Sequence, residues 1–300
     1  ESDLKPTVLV VGNSNTWRQF DEQLNSAHTP SFRRRLRKVY YRWRSRNWLK
    51  KTTRANNLQL KIIEDVNSPK GVEVLKELEG DLFICAAYPQ ILKSEWLTLP
   101  MQGAIGFHPS LLPAFRGAHP HFWAIRKGIE ETGISAYRMT ARIDDGEILA
   151  QVKVDLAGLN YGQLYELFGE KLSELVSRLS ETLVEGQPAK LLNEGLDPSY
   201  FSNNQLKDSR IFWKYQLIDE IDCVIRTGIA WCVYRTRILR ILDGRLYQEL
   251  KGVPDDLPVG SIIKLPENRI VIRCLDGWLE VLDWKWKYSF FKPRLKGNLF

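Results

Sequence analysis

Short apolar runs alternate with helical patterns through the first half of the chain, and this alternation restricts the fold more than any other feature. The run DLFICAA at 81–87 is nearly all apolar, as expected for a strand buried on both faces. Further strand patterns lie at 7–11, 57–63 and 103–108, and helical patterns lie at 70–79 and 119–127. Such alternation predicts an α/β domain with a Rossmann-like, mostly parallel sheet, in which ligands bind beyond the carboxyl ends of the strands.

The pattern changes after the first half. Two more strands, around 134–142 and 147–154, flank the turn at 144–146, and the apolar spacing predicts an amphipathic helix from Tyr161 to Val184. A short helix near 217–226 precedes short strands separated by turns, which indicates a smaller, open β-barrel of the OB type. We therefore expect an α/β domain at 1–190, a linker at 191–204 and a β-barrel domain at 205–300.

Composition excludes several classes of protein. With 44% hydrophobic and 26% charged residues the chain is typical of globular proteins. No apolar run approaches the ~20 residues of a membrane helix, and the first residues lack a signal-peptide pattern, so a cytoplasmic protein without a membrane partner is expected. The four cysteines have no paired spacing, which favours reduced, buried thiols over disulfides or a metal site: Cys85, Cys223, Cys232 and Cys274.

The net charge of +7 comes from one segment, since residues 33–54 hold eleven Lys or Arg and no acid. Aromatic residues are interleaved with these cations, among them Trp43 and Trp48. Three readings stay open: contact with tRNA, contact with the phosphates of a nucleotide-linked sugar, or a solvated helix whose aromatic side chains pack inward.

His108 and Asp144 are the candidate chemical groups. His108 ends a predicted buried strand before a proline loop, and Asp144 lies in the turn after a later strand, so both side chains could reach the same edge of the sheet. An imidazole beside a carboxylate is suited to proton transfer. The alternative is a strand-end histidine bonded to backbone and an aspartate that only forms a turn.

The residues around this pair form a longer motif. It comprises His108–Pro113, Arg116-Gly117, Pro120, Ala124-Ile125, Thr132-Gly133 and Asp144-x-Gly146, with Ala86–Leu92 and Leu99-Pro100 upstream and Ile211-x-Trp213, Ile225-Arg226, Pro258-x-Gly260 and Asp276-Gly277 downstream. These positions resemble the folate-dependent formyltransferase superfamily, which includes the glycinamide ribonucleotide, methionyl-tRNA and sugar-amine formyltransferases. The likeness extends over most of the chain.

The resemblance implies an enzyme that moves a formyl group from N10-formyltetrahydrofolate, its co-substrate, to a primary amine. It implies that His108 stabilises the tetrahedral intermediate and assists proton transfer, while Asp144 orients the imidazole or a relaying water. It further implies folate contacts, largely through backbone groups, at five residues: Tyr88, Gln90, Ile91, Leu92 and Asp145. Other expected site residues are Gly106, Ser110, Arg116 and Gly117.

Gly106 departs from the family pattern, which has Asn two residues before the histidine. Because an oxyanion donor of this kind is typically worth about 10²–10³ in rate, the chain needs another donor, is slow, or has become a silent ligand-binding homologue. Candidate replacements are His119, His121, Ser110 and an ordered water. Gly106 favours the silent homologue, whereas the retained His108 and Asp144 argue against it.

The expected acceptor is a small molecule. A nucleotide-linked amino sugar comes first, a hydroxylated amino acid of the hydroxyornithine type second and aminoacyl-tRNA third, because the basic segment lacks the sequence expected of a tRNA-binding member. A nucleic-acid partner is therefore the less favoured option, and a homodimer stays open.

Overall fold

A computed structural model describes residues 8–12, 50–63, 65–86, 88, 90–186, 189–193, 195–254, 256–286 and 297–298 of the 300-residue chain. The basic segment lies outside these ranges except for residues 50–54, which are helical, so its three readings stay predictions. The chain divides into two compact units. The first comprises 1–116, 133–153 and 171–199, and the second comprises 117–132, 154–170 and 200–300.

Parallel and antiparallel strand pairs form the α/β part of the fold. Its strands are β1 (Val8–Gly12), β2 (Gln59–Ile63), β3 (Phe83–Ala86), β4 (Ala104–His108), β5 (Arg116–Gly117), β6 (Glu131–Arg138), β7 (Ile148–Asp155) and β8 (Tyr200–Phe201). The pairs β1/β2 and β3/β4 are parallel, whereas β4/β6 is antiparallel. The order β3-β4-β6-β7 gives a mixed four-stranded sheet, and β5 pairs with β8.

Four of the five helices described begin and end close to the predicted positions, and the short helix at Ser94–Thr98 was not predicted. The helices are α1 (Pro69–Glu77), α2 (Ser94–Thr98), α3 (Pro120–Arg126), α4 (Tyr161–Leu183) and α5 (Ile218–Arg226), with 3₁₀ turns at Leu206–Ser209 and Pro266–Asn268. Ser68 caps α1 by accepting a hydrogen bond from the Gly71 amide, ahead of a proline in the first turn. No described helix is both long and apolar enough to cross a membrane.

Two predictions about burial and length in the first unit are wrong. The strand predicted at 81–87 is not buried on both faces, because Ile84 is 50% exposed and β3 is the outer strand of the sheet as far as the chain is described. The strand predicted at 134–142 ends at Arg138, because the chain turns there into the loop before β7. The four cysteines are free, but Cys85 and Cys223 are only partly buried.

The C-terminal part is a curled antiparallel sheet, as the sequence predicts. Its strands are β9 (Trp231–Tyr234), β10 (Arg237–Tyr247), β11 (Ser261–Lys264), β12 (Ile270–Arg273), β13 (Trp278–Trp286) and β14 (Gly297–Asn298), in the order β14-β11-β12-β13-β10-β9. The register of β10 against β13 shifts around Asp243, and such irregularities bend a strand. The apolar face of α5 completes the core beneath this sheet.

Candidate active site

The structure brings His108 and Asp144 together in the first unit. His108 is the last residue of β4, and Asp144 lies in the loop between β6 and β7, where it adopts a positive φ of 50°. The His108 Nδ1 atom is 3.5 Å from Asp144 Oδ2, and both side chains are largely buried. An imidazole and a carboxylate therefore face each other at the carboxyl end of a central strand.

A backbone contact defines which imidazole nitrogen can move a proton. His108 Nε2 lies 2.8 Å from the carbonyl oxygen of Phe115. Since a carbonyl only accepts hydrogen bonds, Nε2 carries the hydrogen and Nδ1 presents its lone pair on the Asp144 side. Burial lowers the pKa of His108, while the Asp144 charge and the Phe115 contact oppose this effect, so the ring is neutral at pH 7. The geometry supplies a neutral base at Nδ1.

Gly106 is covered by the ring of Tyr137. The two residues are cross-strand partners in the β4/β6 pair. A Cβ atom at Gly106 would lie 2.6 Å from Tyr137 Cε1 and 2.8 Å from the phenolic oxygen, well inside contact distance. The Tyr137 hydroxyl donates a hydrogen bond of 2.7 Å to Asp144 Oδ1. Burial, followed by the nearby Asp144 charge, raises the pKa of Tyr137 far above its usual range, so the hydroxyl stays a donor.

Neither Tyr137 nor Phe115 is among the residues that the sequence identifies. The alternation of β6 places Tyr137 on one face of the sheet, but the residue opposite Gly106 follows only from the register of two strands. The Phe115 contact depends on the path of a loop. His119 and His121, proposed as replacement donors, belong to the second unit, where the hydroxyl of Tyr161 contacts His121 Nε2.

Cys85 connects this site with the predicted folate loop. It is the β3 partner of Gly106 in the parallel β3/β4 pair. Burial raises the pKa of the Cys85 thiol to about 11, with a smaller contribution from the Asp144 charge, while a hydrogen bond from the backbone at Tyr88 opposes the shift. The thiol is therefore protonated at neutral pH, and its surroundings include both Asp144 and the start of the loop.

Among residues 88 and 90–92 of the predicted folate loop, Ile91 is the strongly exposed apolar side chain. Tyr88 and Leu92 pack against the small core of the first unit, and Gln90 Oε1 accepts a hydrogen bond from the Val66 amide. Ile91, by contrast, is 71% exposed. Tyr88 and Leu92 are packed and Gln90 is hydrogen-bonded. Ile91 and the loop backbone are therefore the groups best suited to contact a pterin.

Asn67 holds this loop in place. Its Nδ2 donates to the Ile91 carbonyl at 2.8 Å, and its Oδ1 accepts from the Lys93 amide at 3.0 Å. Two side-chain hydrogen bonds to backbone groups two residues apart give the loop a defined conformation. The described residues thus fit a ligand that is recognised through backbone groups beside an apolar surface.

The remaining predicted residues shape the segment after His108. The Ser110 hydroxyl donates to the Ala114 carbonyl at 2.7 Å, which makes it a loop-forming group. Arg116 and Arg142 both bind the Asp145 carboxylate, at 2.7 and 2.9 Å, so a folate contact by Asp145 stays a prediction. At Gly117, with φ of +95°, a Cβ atom would lie 2.2 Å from the Phe201 carbonyl oxygen.

Two family models match the chain. The model described as formyl transferase matches residues 6–171, more than half of the chain, and the model of the formyl transferase C-terminal domain matches residues 205–288. Among individual relatives, a methionyl-tRNA formyltransferase of Caldanaerobacter subterraneus subsp. tengcongensis is 31% identical over 226 residues, which cover 72% of this chain and 70% of the relative.

Solved structures agree on the fold. HypX from Aquifex aeolicus in complex with tetrahydrofolic acid superposes with a TM-score of 0.59 at 16% identity. That match covers 93% of this chain but only 44% of HypX. WlaRD, a sugar 3N-formyl transferase solved with dTDP and 5-N-formyl-THF, gives a TM-score of 0.52 at 20% identity and covers 78% of this chain and 80% of WlaRD.

The fold, the site beyond β4 and the family matches lead to one assignment. The reaction is formyl transfer. The chain belongs to the formyl transferase family.

Proposed function

We propose that this enzyme N-formylates a primary amine on a nucleotide-linked amino sugar, with N10-formyltetrahydrofolate as donor. The observation that carries the chemical part is the arrangement of His108 Nδ1 facing Asp144 Oδ2 at 3.5 Å. Amine attack requires a nearby base, because only a neutral amine is nucleophilic and the attacking nitrogen must lose a proton as its new bond forms.

The folate supplies the formyl carbon and the leaving nitrogen: the amine forms a C–N bond to that carbon, the bond to N10 breaks, and a formamide and tetrahydrofolate result. His108 Nδ1 accepts the proton that the amine nitrogen loses. Asp144 stabilises the imidazolium formed in this step, because an opposite charge in a buried site favours the protonated ring. The proton is then returned to the leaving nitrogen, which restores the neutral imidazole.

The proposed folate position rests on the loop at 88–92. Its backbone, held by Asn67, would provide hydrogen-bonding groups to the pterin, and Ile91 would cover one face of the ring. Burying an exposed isoleucine against a flat heterocycle is favourable, because both surfaces leave water.

WlaRD supports the amino-sugar acceptor, since this sugar 3N-formyl transferase of the same fold was solved with both dTDP and 5-N-formyl-THF. The second candidate is aminoacyl-tRNA, and one observation favours it: the relative at 31% identity is a methionyl-tRNA formyltransferase.

The domain boundaries at 190 and 205 also stay part of this proposal, supported by the second family match, which begins at residue 205.

A formylation assay with each class of acceptor in turn distinguishes the candidates. The enzyme would be incubated with N10-formyltetrahydrofolate and a panel of nucleotide-linked amino sugars or, separately, methionylated initiator tRNA, and the product identified by the mass gain of one CO. Formylation of an amino sugar that is lost in His108→Gln supports the proposal. Formylation of the charged tRNA alone would replace the sugar by the second candidate.

A further inference from the structure

One residue, Tyr137, contacts both Gly106 and the Asp144 carboxylate. The Tyr137 ring fills the space above Gly106, and its hydroxyl donates a hydrogen bond of 2.7 Å to Asp144 Oδ1. We propose that Tyr137 is a positioning residue, which reaches across Gly106 to hold the Asp144 carboxylate towards His108. This inference rests on the roles proposed above for His108 and Asp144.

The two oxygens of Asp144 have different neighbours. Oδ1 accepts the hydrogen bond from Tyr137, and Oδ2 lies 3.5 Å from His108 Nδ1. A carboxylate that is bonded at one oxygen is restricted in its rotation about the Cβ–Cγ bond, so its second oxygen keeps a fixed direction. The Tyr137 bond therefore orients Asp144 towards the atom that handles the proton.

A tyrosine suits this task because it donates without adding charge. The Tyr137 residue is 5% exposed, and in the sheet Gly106 lies between it and the partly buried Cys85 of β3. A buried lysine or arginine at the same place would compete with His108 for the carboxylate charge, whereas a neutral hydroxyl leaves that charge available. The groups described near Asp144 include one neutral donor, Tyr137, and the catalytic imidazole of His108.

Gly106 and Tyr137 form a coupled pair. A side chain at 106 and a tyrosine at 137 cannot share the same volume, since the Cβ atom alone would lie 2.6–2.8 Å from three atoms of the phenol. Tyr137 therefore requires a glycine at position 106, and Gly106 is not simply a family asparagine that has been lost. Replacing one partner should reduce activity, and replacing both in a compensating way should restore part of it.

The first test needs neither folate nor acceptor. NMR titration of His108 would be compared in the wild type, in Tyr137→Phe and in Tyr247→Phe. Tyr247 is a matched control, because its hydroxyl donates to the carboxylate of Glu280 at 2.8 Å in the second unit. In Tyr137→Phe we expect the pKa of His108 to fall by about one unit, because a released Asp144 turns away from the ring. An unchanged His108 titration in Tyr137→Phe would overturn the inference.

The second test is a reciprocal exchange with tetrahydrofolate release as the readout. Release is measured with water as acceptor and again with the amine acceptor that works best, so it does not depend on the amino-sugar proposal. Tyr137→Ala should lower kcat about tenfold or more with little change in KM for folate, Gly106→Asn should leave kcat flat or lower it, and the double variant should recover part of the loss. A double variant no faster than the slower single variant would contradict the coupling.

The two tests separate the possible failures. If no protein transfers formyl to any acceptor, the proposed function fails, while the His108 titration still decides the role of Tyr137. If the wild type turns over and Tyr137→Phe retains both the wild-type rate and the wild-type His108 titration, the proposed function stands and the positioning role is rejected.

Discussion

His108 Nε2 and the carbonyl oxygen of Phe115 are 2.8 Å apart, and this contact leaves Nδ1 as the proton-accepting atom that faces Asp144. The backbone carbonyl of Phe115 thus fixes the imidazole through Nε2, and Nδ1 is the atom that accepts the proton. A side chain anchored in this way cannot turn its second nitrogen away from the carboxylate without losing a buried hydrogen bond, which carries a free-energy cost of roughly 1–3 kcal/mol.

The first prediction follows from this arrangement. His108→Gln and Asp144→Asn should each lower kcat/KM by about 10²–10⁴ while the fold is kept, because each removes part of one proton-transfer unit. The double variant should be little worse than the worse single variant, since the two groups act together. Steady-state kinetics and circular dichroism would be compared with Glu147→Gln, whose carboxylate is 70% exposed. Independent, multiplying losses would contradict the pairing.

The second prediction concerns pH. Burial keeps the pKa of His108 below its ordinary value of 6.5, so the neutral base persists into mildly acidic solution. In the unfolded chain the ring has the ordinary value, so protons bind the unfolded state preferentially and stability falls as pH drops below about 6.5. Thermal unfolding of the wild type should therefore lose more stability between neutral and mildly acidic pH than that of His108→Gln. Parallel losses in both proteins would show that His108 does not titrate in this way.

Much of this site follows from local patterns, and the rest depends on pairing between distant segments. An apolar run that stops at a histidine before a proline is enough to locate His108 at the end of a strand. The partner of Gly106 is set by the antiparallel register of β4 and β6, where a shift of one residue would place Tyr137 on the opposite face. No composition or spacing rule specifies that register, and Tyr137 was therefore missed.

The exposure of Ile84 has a similar origin. A run such as FICA at 83–86 indicates a strand, but whether both faces are covered depends on its place in the sheet. Here β3 is the outer strand of the order β3-β4-β6-β7. Sequence patterns therefore identify the element and leave its neighbours undetermined.

The third prediction tests the folate loop. Asn67→Ala removes two hydrogen bonds to the backbone at Ile91 and Lys93, so the loop loses its defined conformation and must be ordered when folate binds. Calorimetry with 5-formyltetrahydrofolate should show binding to the wild type and about tenfold weaker binding to the variant. Asn56→Ala, which removes a bond within the helical segment at 50–55, serves as control. Equal affinity in all three proteins would mean that folate does not use this loop.

The fourth prediction concerns nucleic acid. We expect no specific binding of tRNA, and only weak association that disappears as salt is raised, because cations that meet phosphates release counterions. Fluorescence anisotropy with initiator tRNA at several salt concentrations would measure both affinity and slope. A tight complex that discriminates initiator from elongator tRNA would move aminoacyl-tRNA ahead of the amino sugar.

The last prediction concerns the glycine beneath Tyr137. A methyl group at Gly106 would lie 2.6 Å from the Tyr137 ring, so the ring would have to shift, and this shift would disturb its hydrogen bond to Asp144. Gly106→Ala should therefore destabilise the protein by about 1–3 kcal/mol, the usual cost of overpacking. Gly169 in α4 is the matched control, because nothing lies within 4 Å of a Cβ atom there, and Gly169→Ala should stabilise by about 0.5–1 kcal/mol.

The same steric conflict should limit the activity of Gly106→Asn. If Gly106 were only a degraded family position, Gly106→Asn would supply a vacant oxyanion donor and raise the rate. Because Tyr137 already fills that volume, we expect the rate of single-turnover formyl transfer to stay flat or fall. Chemical denaturation and single-turnover kinetics on the same preparations would test both statements. A tenfold gain in rate without loss of stability would show that the space above Gly106 is available, and that the tyrosine is not its permanent occupant.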